Sequence, residues 1–235
     1  MGRSGADPDK MRCCPAKETH VFYETADNKH GLKRDPWKAL VVPRPIGWIS
    51  SISKDGVCNL APYSFFNAVS SNPHYVLFGS GGRKDSVRNI EETGEFVCSL
   101  ATWELRYHMN TSSAAVPPGV DEFPLAGLTA APSRLIRPPR VKESPVALEC
   151  KYWKTVALPT DGKGEDHYVV FGRVVGIHID DRFIKDGLVD TTAMRPIARL
   201  GYMDYAVVTS ETQFTIFRPK VDEEGNILHV PRAAE

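Results

Sequence analysis

A short turn rich in glycine and basic residues has the composition of an anion-binding site. It covers residues 79–86 (Gly-Ser-Gly-Gly-Arg-Lys-Asp-Ser), after a predicted strand and at the start of a predicted helix. Glycine lets a backbone approach a ligand closely, and the free N–H groups at a helix start favour negative charge. Arg83 and Lys84 add positive charge, while Ser80 and Ser86 add hydroxyl donors. Together these features suit a phosphate group.

The turn matches neither of two common phosphate-binding signatures. Its glycine spacing is not that of a P-loop, nor that of the G-x-G-x-x-G motif, and no parallel βαβ pattern surrounds it. An ordinary basic surface turn before a helix capped by Asp85 or Ser86 explains the residues equally well. Asp85 also opposes an anion site unless its carboxylate is used for capping.

Two segments just before this turn carry polar residues that a sheet could present to a heterocyclic ring. Alternation along the strand predicted at 46–53 places Ser50 on one face and Ser51 on the other. In the segment 59–67, Pro62 leaves neighbouring backbone groups outside the sheet ladder. Such groups can hydrogen-bond the edge of a flavin, which also needs an apolar wall. A plain hairpin with exposed serines and a buried Phe65–Phe66 pair explains the same pattern.

The elements that would position these residues are mostly short strands separated by turns. Strands are predicted at 46–53, 57–69, 74–80, 95–102, 126–137, 145–158, 167–180 and 202–208. Helices are predicted at 85–93, with Gly94 placed to end the helix, and at 103–110. Long loops are predicted at 111–125 and 159–166. Many short strands and few helices favour a mainly-β barrel over a doubly wound sheet.

Charge and composition exclude several classes of function. The 29 Lys and Arg residues balance the 29 Asp and Glu residues, so net charge gives no case for binding nucleic acid or a membrane surface. No apolar run approaches the roughly 20 residues that span a bilayer. Residues 1–17 are expected to be a flexible tail on a single domain that covers 18–235. The lack of a signal-peptide core predicts a cytoplasmic protein.

The five cysteines predict neither a metal site nor a disulfide framework, because they include no C-x-x-C pair. Cys98 and Cys150 lie among apolar neighbours and are expected in the core. Cys13 and Cys14 are interpreted as incidental.

One stretch of the chain resembles a known family. The runs Arg-Pro-Ile-Gly-Trp-Ile-Ser-Ser (44–51), Asn-Leu-Ala-Pro-Tyr-Ser (59–64) and Arg-Lys-Asp-Ser (83–86) follow in the order typical of the flavin reductase-like, FMN-binding split-barrel family. The similarity is almost continuous over 44–100, with weaker similarity at 199–205 and 214–219. It implies a mainly-β split barrel with a few short helices, and FMN as the cofactor.

The resemblance assigns roles to individual positions. It implies that Ser80, Arg83, Lys84 and Ser86 hold the FMN phosphate, and that Ser50, Ser51 and the backbone of 59–64 line the ring and the ribityl chain. The cofactor-binding residues implied in this way are Ser50, Ser51, Asn59, Ala61, Pro62, Tyr63, Ser64, Ser80, Arg83, Lys84, Asp85 and Ser86. Further candidates are Arg44, His108, Arg199 and Tyr205, of which the last two are candidates to reach the cofactor across a dimer interface.

The resemblance also implies an activity and an assembly. Family members are homodimers with FMN near the subunit interface, and they transfer hydride from NADH or NADPH to flavin N5 without an obligatory protein acid or base. Reduced flavin would then pass electrons to oxygen, a partner oxygenase or an electron-transfer protein. Three alternatives stay open: a flavoredoxin-like electron carrier, an FMN-dependent oxidase or monooxygenase with a pocket formed by the two long loops, and a non-enzymatic flavin-binding module.

Overall fold

Strands dominate the protein, whose computed structural model describes residues 20–160, 162 and 164–229. The strands are β1 (Arg44–Pro45), β2 (Gly47–Ile52), β3 (Cys58–Tyr63), β4 (Phe66–Ser71), β5 (His74–Gly81), β6 (Glu95–Leu100), β7 (Ala130–Ala131), β8 (Arg140–Val141), β9 (Val146–Leu158), β10 (His167–Ile179), β11 (Ile184–Lys185), β12 (Leu188–Val189), β13 (Ile197–Arg199), β14 (Tyr205–Val207), β15 (Lys220–Val221) and β16 (Ile227–His229). The helices are α1 (Trp37–Leu40), α2 (Asp85–Thr93), α3 (Arg106–Thr111), α4 (Glu122–Leu125) and α5 (Thr191–Met194), and a 3₁₀ turn covers Asp181–Phe183. The predicted mainly-β class is confirmed. The expected tail, with Cys13 and Cys14, lies outside the described residues.

The main sheet curls into an open barrel. Its seven strands run β3-β2-β6-β9-β10-β5-β4, and each neighbouring pair is antiparallel. The edge strands β3 and β4 are separated in the chain only by Ser64 and Phe65. Phe66 of β4 packs against Gly47 of β2, where a Cβ would lie 2.4 Å from the phenyl ring. The two edges of the sheet therefore approach one another, and a small sheet of order β1-β13-β14 lies beside the barrel.

Strand β2 separates two hydrophobic clusters because its side chains alternate between its two faces. Trp48 belongs to the cluster that also contains Phe123 of α4. Ile49 belongs to the other, which Val87 and Ile90 of α2 complete. Helix α2 is therefore held against the sheet by its apolar face, and its first turn is fixed beside β3.

Several elements match the sequence-based expectations closely. Helix α2 covers the predicted residues and ends at Gly94, which has a φ of 76° and donates its N–H to Ile90 O at 2.8 Å. Strands β9 and β10, predicted at 145–158 and 167–180, pair with each other as a long antiparallel hairpin. Cys98 and Cys150 are buried in the core as expected.

Other predicted elements differ from the structure. The single segment 57–69 is two strands, because the chain bends at Ser64 and Phe65. The helix predicted at 103–110 covers only Arg106–Thr111, and the strand predicted at 202–208 covers only Tyr205–Val207. The loop predicted at 111–125 contains α4.

The strand predicted at 126–137 is mostly irregular, and only Ala130–Ala131 is extended and paired. Buried Glu149 of β9 accepts hydrogen bonds from the backbone N–H groups of Arg134 and Leu135, both at 2.7 Å. Their bonding capacity is thus used by a side chain rather than by a neighbouring strand.

Within the described ranges, no helix is long and apolar enough to cross a membrane.

Candidate functional site

A groove made of two adjoining cavities runs along the edge strand β3. The serine cavity has a volume of about 320 Å³ and the arginine cavity about 530 Å³. Pro62 and Ser113 line both, so the cavities lie next to each other. The serine cavity is lined by Asn59, Ala61, Pro62, Tyr63, Lys84, Asp85, Ser86, Ser112, Ser113, Ala114, Ala115, Val116, Pro118 and Glu122. The arginine cavity is lined by Lys38, Arg44, Ile46, Pro62, Ser64, Met109, Asn110, Ser113, Arg199, Tyr202, Met203 and Tyr205.

The serine cavity reaches the start of helix α2, which no side chain of the described residues caps. Lys84 occupies the N-cap position in an extended conformation. The predicted cap by Asp85 or Ser86 is wrong. The Asp85 carboxylate pairs with Arg88, and Ser86 Oγ donates to Asn59 Oδ1 at 2.8 Å. The first N–H groups of this nine-residue helix can therefore serve an anion in the cavity.

The other two predicted phosphate ligands lie outside both cavities. Ser80 is buried, and its Oγ donates to the Gly82 carbonyl at 3.0 Å. Arg83 forms an ion pair with Glu91 and is largely exposed. Gly82, at a φ of 75°, donates its N–H to Asp166 O at 2.7 Å. Glu165 and Asp166, at the end of the predicted 159–166 loop, thus lie against the glycine turn.

Strand β3 supplies one wall of both cavities. Ala61 and Tyr63 line the serine cavity, whereas Ser64 lines the arginine cavity and Pro62 lines both. Pro62 is compatible with the sheet because β3 is an edge strand and needs no N–H donor on its outer side. Burial raises the pKa of Tyr63, and hydrogen bonds with Ser86 and Ser80 only partly offset that effect. Tyr63 is therefore a protonated phenol at neutral pH.

A buried carboxylate that sequence reasoning did not single out links α4 to β3. The Glu122 side chain accepts hydrogen bonds from Asn59 Nδ2 at 3.0 and 3.1 Å, and from the Leu60 N–H at 2.8 Å. Burial raises the pKa of Glu122, although the hydrogen bonds from Leu60 and Asn59 act in the opposite direction. Because Asn59 also accepts from Ser86, one polar network joins α4, β3 and α2 around the serine cavity.

The sequence carried a local signal for the helix that bears Glu122, though not for its contact with β3. Asp121 and Glu122 stand directly before the apolar residues Phe123 and Leu125, as in an acidic first turn of a helix. Asp121 caps α4 by accepting from the Phe123 N–H at 2.9 Å. That pattern predicts the helix, but it does not predict which strand Glu122 reaches.

Ser50 and Ser51 are fully buried, so the interpretation of β2 as a hairpin strand with exposed serines is wrong. Ser50 Oγ donates to the Pro139 carbonyl. Ser51 Oγ lies 3.4 Å from Asn59 Oδ1. Neither serine lines the groove, and Ser51 reaches it only through Asn59.

The arginine cavity brings together three of the additional candidates. Arg44 is 5 % exposed, and its Nη atoms donate to the carbonyls of Lys38, Val41 and Leu200. Arg199 bonds to the Tyr205 hydroxyl. Burial lowers the pKa of Arg44, and the nearby charge of Arg199 lowers it further.

His108, the remaining candidate, lines neither cavity. Its Nδ1 bonds to the Ala126 carbonyl at 2.7 Å and ties α3 to the segment after α4. Among the residues that the structure describes, no group of His, Cys, Asp and Glu side chains is arranged to hold a metal ion.

Comparison with known proteins identifies one sequence family. Residues 39–198 match the model of the flavin reductase like domain. An uncharacterised protein of Aquifex aeolicus is 39% identical over 183 residues, which cover 75% of this chain and 90% of that protein.

Solved structures show the same fold. Nitrilotriacetate monooxygenase component B from Bacillus cereus has a TM-score of 0.75 and 30% identity, over 85% of this chain and all of the other. The 2-nitrobenzoate 2-nitroreductase of Pseudomonas fluorescens has a TM-score of 0.73 and 26% identity, over 86% of this chain and all of the other. A Shewanella frigidimarina protein described by its split barrel domain has a TM-score of 0.68 and 21% identity, over 82% and 93% of the two chains. The predicted split-barrel fold is confirmed.

Proposed function

Since the chain belongs to the flavin reductase-like family, we propose that it binds FMN in the groove along β3 and transfers hydride from NADH or NADPH to the bound flavin. One observation carries the proposal. Helix α2 begins without a side-chain cap at one end of a groove that is long enough to hold more than a phosphate, and Lys84 and Ser86 stand at that end.

The serine cavity fits the phosphate end of FMN. A helix start offers N–H donors and partial positive charge, and Lys84 adds a full charge beside it. Asp85 opposes a phosphate less than its charge suggests, because it is paired with Arg88. Neither Ser80 nor Arg83 lines the cavity. We propose that buried Ser80 supports this end of the site from behind the turn and that Arg83 supports it from the exposed side.

The part of the groove along β3 fits the ring and the ribityl chain. Ala61 and Pro62 supply apolar surface on one wall, and Val116 supplies more from the segment after α3. The Tyr63 phenol, Ser64 and the backbone of β3 supply hydrogen-bonding groups. Ser50 and Ser51 hold β2 against its neighbours and so keep β3 in place.

In such a site the protein contributes placement and the cofactor contributes redox chemistry. FMN, when bound, accepts a hydride at N5 and passes electrons to an acceptor. The groove residues would hold the ring, and alignment of a nicotinamide beside it would lower the barrier without a protein acid or base. We therefore assign binding roles to the groove residues and no catalytic proton transfer.

We further propose that the protein is a homodimer with FMN near the subunit interface, and that an oxygenase is one acceptor of its electrons. The exposed apolar side chains of the C-terminal segment support the dimer, because a monomer rarely leaves such a patch in water. The oxygenase is supported by the likeness to component B of a monooxygenase.

Anaerobic titration of the flavin-loaded protein with NADH and with NADPH tests the reaction. Rapid bleaching of the flavin absorbance by either nucleotide is the expected result. A yellow protein indifferent to both would favour the electron carrier or the oxidase. A protein that stays colourless after soaking in FMN would overturn the proposal.

A further inference from the structure

The arginine cavity is positively charged. Lys38, Arg44 and Arg199 line it, and no Asp or Glu of the described residues does. Nor does any of these three cations form an ion pair with a carboxylate in the described part of the chain. Like charges placed together repel one another unless an anion lies between them.

Arg44 is buried with one donor unused. Its Nη atoms are occupied by backbone carbonyls, but Nε has no hydrogen-bond partner among the described residues. A buried donor without a partner is unfavourable, and native proteins rarely keep one. Arg44 is 5 % exposed, so bulk water does not readily supply the missing acceptor.

Within the described part of the chain, Arg199 meets only neutral acceptors: the Tyr205 hydroxyl, the Tyr202 carbonyl and the Met203 sulfur. Burial lowers the pKa of Arg44, and the charge of the nearby Arg199 guanidinium lowers it further. An oxyanion in the cavity would offset the repulsion between the two guanidinium groups. The remaining lining includes Ile46, Met109 and Met203, which suit the apolar body of an organic molecule.

We propose that the arginine cavity binds the carboxylate or phosphate group of the molecule that exchanges electrons with the flavin. The inference deepens the proposed function and rests on it, because the arginine cavity lies next to the serine cavity, to which the FMN phosphate is assigned. The shared chemistry is an oxyanion on an organic body. Its source is either a small organic acid or the phosphates of the nicotinamide dinucleotide.

Isothermal titration calorimetry with FMN in excess tests the inference, because the phosphate position near Lys84 is then filled. Three titrants are used: benzoate, its neutral counterpart benzamide, and pyrophosphate. We expect benzoate or pyrophosphate to bind and benzamide to bind at least tenfold more weakly. Binding of benzoate indicates an organic acid, and binding of pyrophosphate alone indicates the dinucleotide.

Variants locate the binding. Lys38→Gln and Arg199→Gln should each weaken the anionic probe about tenfold and weaken FMN less than the probe. Lys142→Gln is the control, since Lys142 lines a separate cavity. Equal binding of benzoate and benzamide, absence of binding, or equal loss in the Lys142 variant would overturn the inference. If these variants lost more affinity for FMN than for the probe, the inference would also be overturned, because the flavin phosphate would then lie in this cavity.

Flavin absorbance, recorded on the same samples, separates the two proposals. A yellow protein that does not prefer the anionic probe loses only the present inference. A colourless protein that binds the probe through Lys38 and Arg199 keeps an oxyanion site but loses the flavin proposal, and with it the role assigned to the bound molecule. A colourless protein that binds no probe loses both.

Discussion

Two adjacent cations in the glycine-rich turn have different surroundings. Lys84 lines the serine cavity at the first turn of α2, whereas Arg83 points away and pairs with Glu91. From the sequence alone both residues suit a phosphate equally. Their surroundings in the fold differ: Arg83 is already paired with a carboxylate and would bind a second anion less strongly than Lys84 would.

Lys84→Gln should weaken FMN binding about tenfold, which corresponds to about 1.4 kcal/mol for one charge-assisted contact. Riboflavin binding should not change, because riboflavin has no phosphate. Fluorescence titration of both flavins measures the two affinities. Arg83→Gln is the matched control and should cost FMN affinity less. If the two substitutions were equivalent, or riboflavin suffered as much as FMN, the phosphate would not lie at Lys84.

Glu122 predicts a pH dependence of stability. Burial holds its pKa above the ordinary value for glutamate, so the native state binds more protons than the unfolded state in that range. The free energy of unfolding should therefore fall as pH rises from the ordinary glutamate pKa through the raised one. Urea denaturation across this range measures the slope.

Glu122→Gln should remove that part of the slope, because glutamine does not titrate. Glu104→Gln is the control, since Glu104 pairs at the surface with Arg195. An unchanged slope in the Glu122 variant would show that this carboxyl does not couple to folding.

In the long hairpin of β9 and β10, Gly172 packs closely against the Phe96 ring of β6. A Cβ at Gly172 of β10 would lie 2.3 Å from the Phe96 ring of β6. The register of the hairpin also shifts between Phe171 and Gly172. A larger side chain here would push apart the strands that enclose the cluster beneath α2.

Gly172→Ala should therefore lower the free energy of unfolding by about 1–3 kcal/mol, the usual cost of overpacking. Chemical denaturation measures the loss. Phe96→Leu makes room, so the double variant should lose less than the sum of the two single losses. Simple additivity of the two substitutions would contradict the proposed clash.

Over the whole molecule, the C-terminal segment leaves large apolar side chains in water. Phe214 is 80 % exposed and Ile216 is 78 % exposed, and Leu188 in β12 is similarly open. Exposed apolar patches of this kind mark surfaces that another chain covers. They support the proposed homodimer, and we propose that the C-terminal segment lies at its interface.

Sedimentation analysis should find a dimer, and the double substitution Phe214→Asp and Ile216→Asp should shift it toward monomer because it places charge in an apolar contact. FMN affinity should fall with it if the site is shared between subunits. Phe22→Asp is the control for an equally exposed side chain elsewhere. A monomer that keeps its flavin fully would contradict the shared site.

Features that depend on neighbouring residues could be predicted from the sequence alone. The α2 boundaries follow from a local apolar face and Gly94, and the β9–β10 hairpin follows from two alternating strands around a glycine-containing turn. Family membership was readable for the same reason, since its motifs lie in order within 44–100. The resemblance implied that 59–64 and the basic turn serve one cofactor, and residues of both segments line the serine cavity.

Which distant residues meet depends on the three-dimensional packing of the chain. It brought Glu122 to Asn59 and Leu60, buried Ser50 and Ser51, and placed Arg44 beside a carbonyl and a guanidinium more than 150 positions away. None of these contacts has a local signal, because each depends on how the sheet curls and how the segments after β6 return to it. The order of residues along a strand fixes which face they take, but the packing of the whole barrel decides what lies opposite that face.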